Sequence, residues 1–221
     1  MIELRNISKA YGTGAARRVV CEGLSAAFNG SADVGILGAN GSGKSTLLRM
    51  MAGMELPDRG QVVRRARISF PIGYSGAFHP NLSARDNVRF VARLYGADIA
   101  AVTRFVRDFA EIGLHFDEPL HTYSNTMRAR VTFATSIAIE FDMYLVDEVT
   151  SVGDVGFKRK CLAALNERRR HARLVMASQS ASNVGRFCRT GAIFDCGRLY
   201  LFANMAEAID MYQNRIAVTD A

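Results

Sequence analysis

Gly38-Ala39-Asn40-Gly41-Ser42-Gly43-Lys44-Ser45-Thr46 decides how the rest of this chain is read. It follows the apolar run Val34 to Leu37 and leads into Leu47-Leu48-Arg49-Met50-Met51-Ala52. That order is strand, glycine-rich turn, helix, the context a phosphate-binding loop requires. Glycines at 38, 41 and 43 let the backbone curl so that successive N–H groups point inward at phosphate oxygens. The helix presents its positive N-terminal end to the same anion. Lys44 adds a full charge at the outer phosphates, and the Ser45 hydroxyl is suited to Mg²⁺. An ordinary glycine-rich turn would not need this full spacing with its Lys-Ser-Thr ending. The stretch from Gly38 to Thr46 therefore predicts a nucleoside triphosphate site.

Outside the loop, composition sets bounds. A chain of 221 residues, 49% hydrophobic and 22% charged, is long enough for one substantial globular domain. Its apolar runs are strand-sized, too short to span a bilayer, and Met1-Ile2-Glu3-Leu4-Arg5 lacks the apolar core of a signal peptide. Cysteines 21, 161, 188 and 196 show no metal or disulfide spacing. They read as reduced, mostly buried thiols, which favours a cytoplasmic setting. The net charge of +7 fits nucleic acid, an anionic membrane surface, or simply scattered solvated arginines.

Along the chain, Ile2 to Ile7 alternates as a half-buried strand and Val19 to Phe28 follows as a second. Tyr11, just past the first strand, is either a surface aromatic or a platform on which a purine stacks. Short strands are expected at Gln61 to Arg64 and Arg67 to Phe70, then helices at Ala84 to Tyr95 and Ile99 to Ile112. The second of these helices aligns Val102, Phe105, Val106, Phe109 and Ile112 on one face. A further helix runs from about Tyr123 to Glu140. Phe141 to Glu148 reads as a buried strand ending in two carboxylates, at the end of the strand where open α/β sheets bind ligands. Asp147 is placed to hold Mg²⁺ and Glu148 to polarise an attacking water. A helix from Val155 to His171, a strand at Leu174 to Ser178, a pair of short strands at 192–195 and 198–202, and a helix from about Met205 complete the pattern. The alternation implies a largely parallel α/β core with an antiparallel β layer built from the N-terminal strands.

These pieces, in this order, resemble the ATP-binding subunits of ATP-binding-cassette transporters, over essentially the whole chain. The resemblance is closest to the exporters of capsular polysaccharide and O-antigen. It is carried by Val146-Asp147-Glu148-Val149-Thr150-Ser151-Val152-Gly153-Asp154 with Phe157, Lys160 and Cys161, and by Ser69-Phe70-Pro71, Phe78-His79-Pro80 and Arg85-Asp86-Asn87-Val88. It implies a P-loop NTPase core of the ABC ATPase type, one nucleotide-binding domain over residues 1–221 with a helical subdomain inserted at about 84–140. The cofactors implied are ATP and Mg²⁺. The partners implied are a transmembrane permease on a separate chain and a second ATP-binding subunit, identical or paralogous. The expected location is peripheral, on the cytoplasmic face of the inner membrane, with no nucleic acid partner. By this resemblance the chain is expected to end where the shorter capsule-type subunits end, without a C-terminal carbohydrate-binding domain.

By the same resemblance, Ser124 belongs to the signature segment that contacts the other subunit's nucleotide. Gln179 takes the switch position near the γ-phosphate, and His79 stands nearest the usual Mg²⁺-contacting glutamine, or is a structural loop residue. Three positions depart from the usual pattern. Asn125 and Thr126 replace small residues, and Gln179 replaces histidine. Asn125 suits a left-handed backbone; Thr126 is stiff, and either crowds a phosphate contact or serves as a helix cap. Gln keeps a donor and an acceptor but cannot become cationic. Two functional classes follow: an ATPase subunit that drives polysaccharide export, or a regulatory subunit that binds ATP and scarcely hydrolyses it. A soluble cassette protein acting on nucleic acid is a third, without the coiled-coil insertions or second cassette such proteins usually show.

Overall fold

The computed structural model describes residues 1–148 and 154–219. In chain order its elements are β1 (Ile2–Tyr11), β2 (Arg18–Phe28), β3 (Val34–Leu37), α1 (Lys44–Ala52), β4 (Arg59–Arg64), α2 (Ala84–Leu94), α3 (Ile99–Ala110), α4 (Asn125–Ala138), β5 (Met143–Asp147), α5 (Val155–Arg168), β6 (Arg173–Ser178), α6 (Ala181–Phe187), β7 (Thr190–Asp195), β8 (Arg198–Phe202) and α7 (Met205–Thr219). They form two compact units. One holds everything up to Pro71, β5, and the chain from Ala172 onward; the other holds Ile72–Glu140 and α5.

The first unit carries two sheets. An antiparallel sheet has the order β2-β1-β4, and a five-stranded sheet has the order β5-β6-β3-β7-β8, parallel except for its β7–β8 hairpin. In β1, the buried residues are Ile2, Leu4 and then Ile7, which breaks strict alternation. Asn6 causes the break: its φ of 50° puts it in the left-handed region, and the pairing register to β2 shifts between Leu4 and Ile7. Asn tolerates that conformation better than most residues. Leu47, Leu48, Met50 and Met51 on α1 are fully buried and join the inward faces of both sheets in one cluster with Ile36, Leu145, Val175 and Phe194. Burying each such side chain contributes roughly 1.5–3 kcal/mol, so α1 cannot move without disturbing both sheets.

Two expectations change. Arg67 to Phe70 forms a single bridge, Ile68 to Met143, instead of a strand. Its backbone is still tied to the edge strand: Ser69 N–H donates to the Met143 carbonyl at 2.9 Å, and Leu145 N–H donates to Ser69 Oγ at 2.9 Å. A side chain thus completes the pairing that a regular ladder would supply. Helix α6 was not expected, because Ser-Asn and an internal glycine are weak helix formers. Ser180 caps it, its Oγ accepting from Asn183 N–H at 3.4 Å.

In the second unit each of the α-helices α2 to α5 starts on a side-chain cap: Ser83 for α2, Asp98 for α3, Ser124 for α4 and Asp154 for α5. Each cap satisfies a first-turn amide and is worth about 1 kcal/mol. Phe109 stacks on Phe105 and Phe133 and meets Phe157 edge-on, which binds α3, α4 and α5 together. Val102, Val106, Phe109 and Ile112 are buried as the periodicity requires, while Phe105 is 37% exposed at the rim of the stack. No helix among the described residues is long and apolar enough to cross a membrane.

Cys21, Cys161 and Cys188 are buried, and Cys196 is exposed in the β7–β8 turn. Burial also pushes the Cys161 thiol up to about 12, leaving almost no thiolate at neutral pH. Native protein treated with a thiol-reactive chromogen at pH 8 is expected to label quickly at Cys196 alone. All four cysteines should react after denaturation. Rapid native labelling of a second thiol would contradict this packing.

Candidate functional site

The central strand β3 ends at Leu37, level with Ser178 at the end of β6, and Asp147 at the end of β5 pairs with Ala177. The C-terminal ends of three adjacent parallel strands therefore lie side by side, where the crevice of an open α/β sheet opens. From this edge the chain turns through Gly38 to Gly43 into α1. Gly43 has a φ of 102° and opens the helix without a side-chain cap. The first-turn amides of α1 are therefore left to an external acceptor. Two glycines are required sterically as well. A Cβ at Gly38 would lie 2.5 Å from the Phe194 carbonyl oxygen, and one at Gly43 would lie 2.6 Å from Val20 Cγ1.

Lys44 folds back over this turn, its Nζ donating to the carbonyls of Gly38 at 2.7 Å and Ala39 at 2.8 Å. Burial holds its pKa below the ordinary range, while the charges of Asp147 and Glu148 act to raise it. The carboxylates thus offset part of the cost of burying the ammonium, and an anionic partner would give it stronger, charge-assisted hydrogen bonds than the two carbonyls do. Ser42 Oγ is buried with no hydrogen-bond partner. A buried hydroxyl without a partner costs about 1–3 kcal/mol, which a phosphate oxygen would recover. The glycine cradle and this orphaned hydroxyl both fit a bound polyphosphate.

Opposite the loop, Glu148 has a φ of 54°, and its N–H donates to the Ala177 carbonyl at 2.8 Å. A left-handed glutamate costs roughly 1–2 kcal/mol. Such strain persists where surrounding structure imposes it, and it concentrates at functional positions. Tyr11 is held from several sides. Its hydroxyl shares a hydrogen bond with Thr46 Oγ1 at 3.2 Å, receives one from Arg49 at 3.2 Å, and donates to Glu55. Arg49 in turn pairs with Glu55 at 3.0 Å, and Lys9 lies 5.4 Å from the Tyr11 ring centroid. The 40% exposed ring is therefore fixed at the mouth of the loop, and Thr46 is spent on holding it.

Together these residues line a cleft of about 250 Å³ that contains Tyr11, Asn40 through Thr46, Asp147, Glu148 and Ser178. Arg18 and Val20 also line it, and Arg18 donates to the Gly41 carbonyl. Sequence reading missed both, since an arginine and a valine opening a strand carry no signal of their own. Gln179 follows β6 as an exposed residue and is not part of the lining. Among the described residues no group of three His, Cys, Asp or Glu side chains is placed to hold a metal ion. A divalent ion here would depend on the nucleotide's phosphates together with Ser45 and Asp147.

Ser124 and His79 belong to the other unit. Ser124 caps α4, its Oγ accepting from Met127 N–H at 3.2 Å. Asn125 is thus the first helical residue and not left-handed, and Thr126 is not the cap. All three are exposed. His79 is exposed, and its Nδ1 accepts from Asn81 N–H at 3.2 Å. Buried Asn87 holds its loop, accepting from His79 N–H at 2.7 Å and donating to the carbonyls of His79, Leu82 and Ser83. Asp154 caps α5 and pairs with Arg130 at 2.8 Å. Lys160 donates to the Phe109 carbonyl at 2.9 Å, 4.5 Å from the Phe109 ring centroid. Of the segment that carried the resemblance after Glu148, residues 149–153 lie outside the described residues.

Known proteins resemble this chain in sequence and in fold. A family profile described as ABC transporter matches residues 21–151. The chain is 40% identical to the capsule polysaccharide export ATP-binding protein CtrD of Neisseria meningitidis serogroup B, over 97% of this chain and 99% of that protein. It is likewise 40% identical to the polysialic acid transport ATP-binding protein KpsT of Escherichia coli, over 96% of each. Among solved structures, a dimeric ATP-binding cassette, MJ0796, bound to ADP and Pi superposes with a TM-score of 0.75 at 20% identity, covering 93% of this chain and 99% of that one. An ATP-binding subunit of an ABC transporter superposes at 0.77 with 19% identity, covering 98% of this chain and 99% of that one.

Gly43→Ala should weaken binding of a fluorescent ATP analogue about tenfold or more, since overpacking of this kind costs about 1–3 kcal/mol. Equilibrium titration measures it, with circular dichroism to check folding. Unchanged affinity in a folded variant would contradict the tight approach of Val20 to the loop.

Proposed function

The chain belongs to the ATP-binding-cassette transporter family, and from that premise we propose that it drives export of a capsular-type polysaccharide through a separate membrane permease. The observation that carries the reading is one cleft in which the Gly38–Thr46 loop, Tyr11 and the Asp147–Glu148 pair converge. Identity of 40% to a capsule polysaccharide export subunit and to a polysialic acid transport subunit, over nearly their whole length, supports the substrate class. In this reading the chain is a single nucleotide-binding domain, peripheral to the cytoplasmic face of the inner membrane, and works paired with a second ATP-binding subunit.

The roles follow from chemistry. Tyr11 offers its fixed ring to the purine, and stacking there needs no particular hydrogen-bond pattern. The backbone amides of Gly43, Lys44 and Ser45 and the Ser42 hydroxyl bind phosphate oxygens, while the Ser42 N–H stays on the Ala39 carbonyl at 3.2 Å, and Lys44 leaves the Gly38 and Ala39 carbonyls to meet the outer phosphates. Ser45 and Asp147 would hold Mg²⁺, which when bound neutralises charge on the β- and γ-phosphates. Glu148 orients and polarises the attacking water, taking its proton as the water oxygen bonds to the γ-phosphorus and the bond from that phosphorus to the β–γ bridging oxygen breaks, releasing ADP and inorganic phosphate. Ser124 contributes, with the N-terminus of α4, to the nucleotide of the paired subunit; His79 belongs to the loop that senses the permease. Gln179 stands in for a histidine at the switch position. It can donate a hydrogen bond to the γ-phosphate but supplies no positive charge.

Losing such a donor outright costs on the order of 10²–10³ in rate, so a partial substitute predicts slow turnover. Gln179→His should raise Mg²⁺-dependent ATP hydrolysis by roughly tenfold, and Glu148→Gln should abolish hydrolysis while keeping ATP binding. In cells lacking the chain, the unaltered protein should restore polymer at the surface and the Glu148→Gln variant should not, as read by sugar analysis. Restoration by Glu148→Gln would overturn the energy-coupling role. An unchanged, already rapid turnover in Gln179→His would overturn the assignment of position 179.

A further inference from the structure

Helices α2 and α3 enclose a groove of about 620 Å³ in the second unit, lined by Arg85, Arg89, Arg104 and Arg107 over Ile99, Ala100 and Thr103. The four guanidinium groups are not equivalent. Arg85 and Arg107 share one carboxylate, Asp117, at 2.5 and 2.9 Å. Both also sit over the buried ring of Phe116, 5.9 and 5.1 Å from its centroid. That shared pair holds Asp117 below the usual carboxylate range and Arg85 above its own. These two arginines are preorganised. Arg89 and Arg104 are exposed and have no ion-pair partner among the described residues.

Asp117 and Asp86, which also acts on Arg85, set two carboxylates against four arginines, so the groove keeps an excess of positive charge, and like charges gathered together repel unless a counter-anion is near. The floor is apolar, and on the other flank of α2's outer face Phe90 and Leu94 are 56% and 66% exposed. Arg89 and Arg93 run beside them along the same helix. Basic side chains flanked by exposed aromatic and aliphatic ones are the pattern of a surface that rests on an anionic bilayer. Nucleic acid fits less well, since no aromatic ring lines the groove for base stacking.

We propose that the α2–α3 groove seats the phosphate of an anionic phospholipid headgroup, so that the chain contacts the bilayer directly and not only through its permease. The groove shares no lining residue with the nucleotide cleft, and its failure would leave ATP binding and the export reading untouched. The test is co-sedimentation of the full chain with phosphatidylcholine vesicles that contain about 30 mol % phosphatidylglycerol, against pure phosphatidylcholine. The chain should bind the anionic vesicles only, and added salt should release it. At about fivefold for each arginine, Arg89→Gln with Arg104→Gln should weaken this binding roughly 30-fold in total. Arg89→Lys with Arg104→Lys should retain most of it, and binding of an ATP analogue should be the same in all three proteins. No binding to anionic vesicles, equal binding to neutral ones, or an undiminished affinity in the double glutamine variant would overturn the proposal. So would equally tight binding to a short DNA duplex.

Discussion

The architecture depends on keeping a row of backbone amides unpaired at the start of α1. Helix termini normally satisfy such amides with a side-chain cap, as α2, α3, α4 and α5 of the second unit do. At α1 the cap is Gly43, which has nothing to offer. The loop is held open from outside instead. Phe194 of β7 and Val20 of β2 press on Gly38 and Gly43 so closely that neither position admits a Cβ. Burying the flanking residues of α1 in the cluster between the two sheets then fixes the direction in which the amides point.

A second constraint is electrostatic. Lys44 is buried enough to lose charge stability, and Asp147 and Glu148 oppose that loss. The carboxylates arrive there because β5 and β3 are both hydrogen-bonded to β6 in parallel register. Glu148 stands one residue past the strand in a left-handed conformation that glycine would adopt more cheaply. Keeping glutamate at that position makes sense if its carboxylate has chemical work to do. The hydroxyl of Tyr11 ties the aromatic platform to the same helix that carries Lys44, so base and phosphate sites are set by one rigid element.

Much of this was visible in the sequence because the phosphate loop has a fixed spacing and the strand before it is plainly apolar. The paired carboxylates were visible for the same reason, as charges closing a buried run. What sequence could not show depended on tertiary neighbours. Arg18 at the start of β2 reaches the Gly41 carbonyl, 23 residues away in the loop, a contact no local pattern announces. Arg67 to Phe70 has strand-like residues, yet a serine hydroxyl replaces part of its ladder. Helix α6 forms from poor helix formers because its Val184 is buried. Thr126 had the chemistry of a cap, but Ser124, two residues earlier, took the role. Asp154, Phe157 and Lys160 carried the resemblance without a physical reason; the structure supplies one, with Arg130 and Phe109 in a single cluster.

The central claim is that the Gly38–Thr46 loop binds ATP through free amides and the Lys44 charge. Equilibrium binding of a non-hydrolysable ATP analogue to the purified chain, set beside Lys44→Ala, tests it most directly. Saturable binding of one analogue per chain, lost or weakened about a hundredfold in the folded variant as expected for a charge-assisted phosphate contact, is the predicted result. Equal affinity in the two proteins would contradict the account.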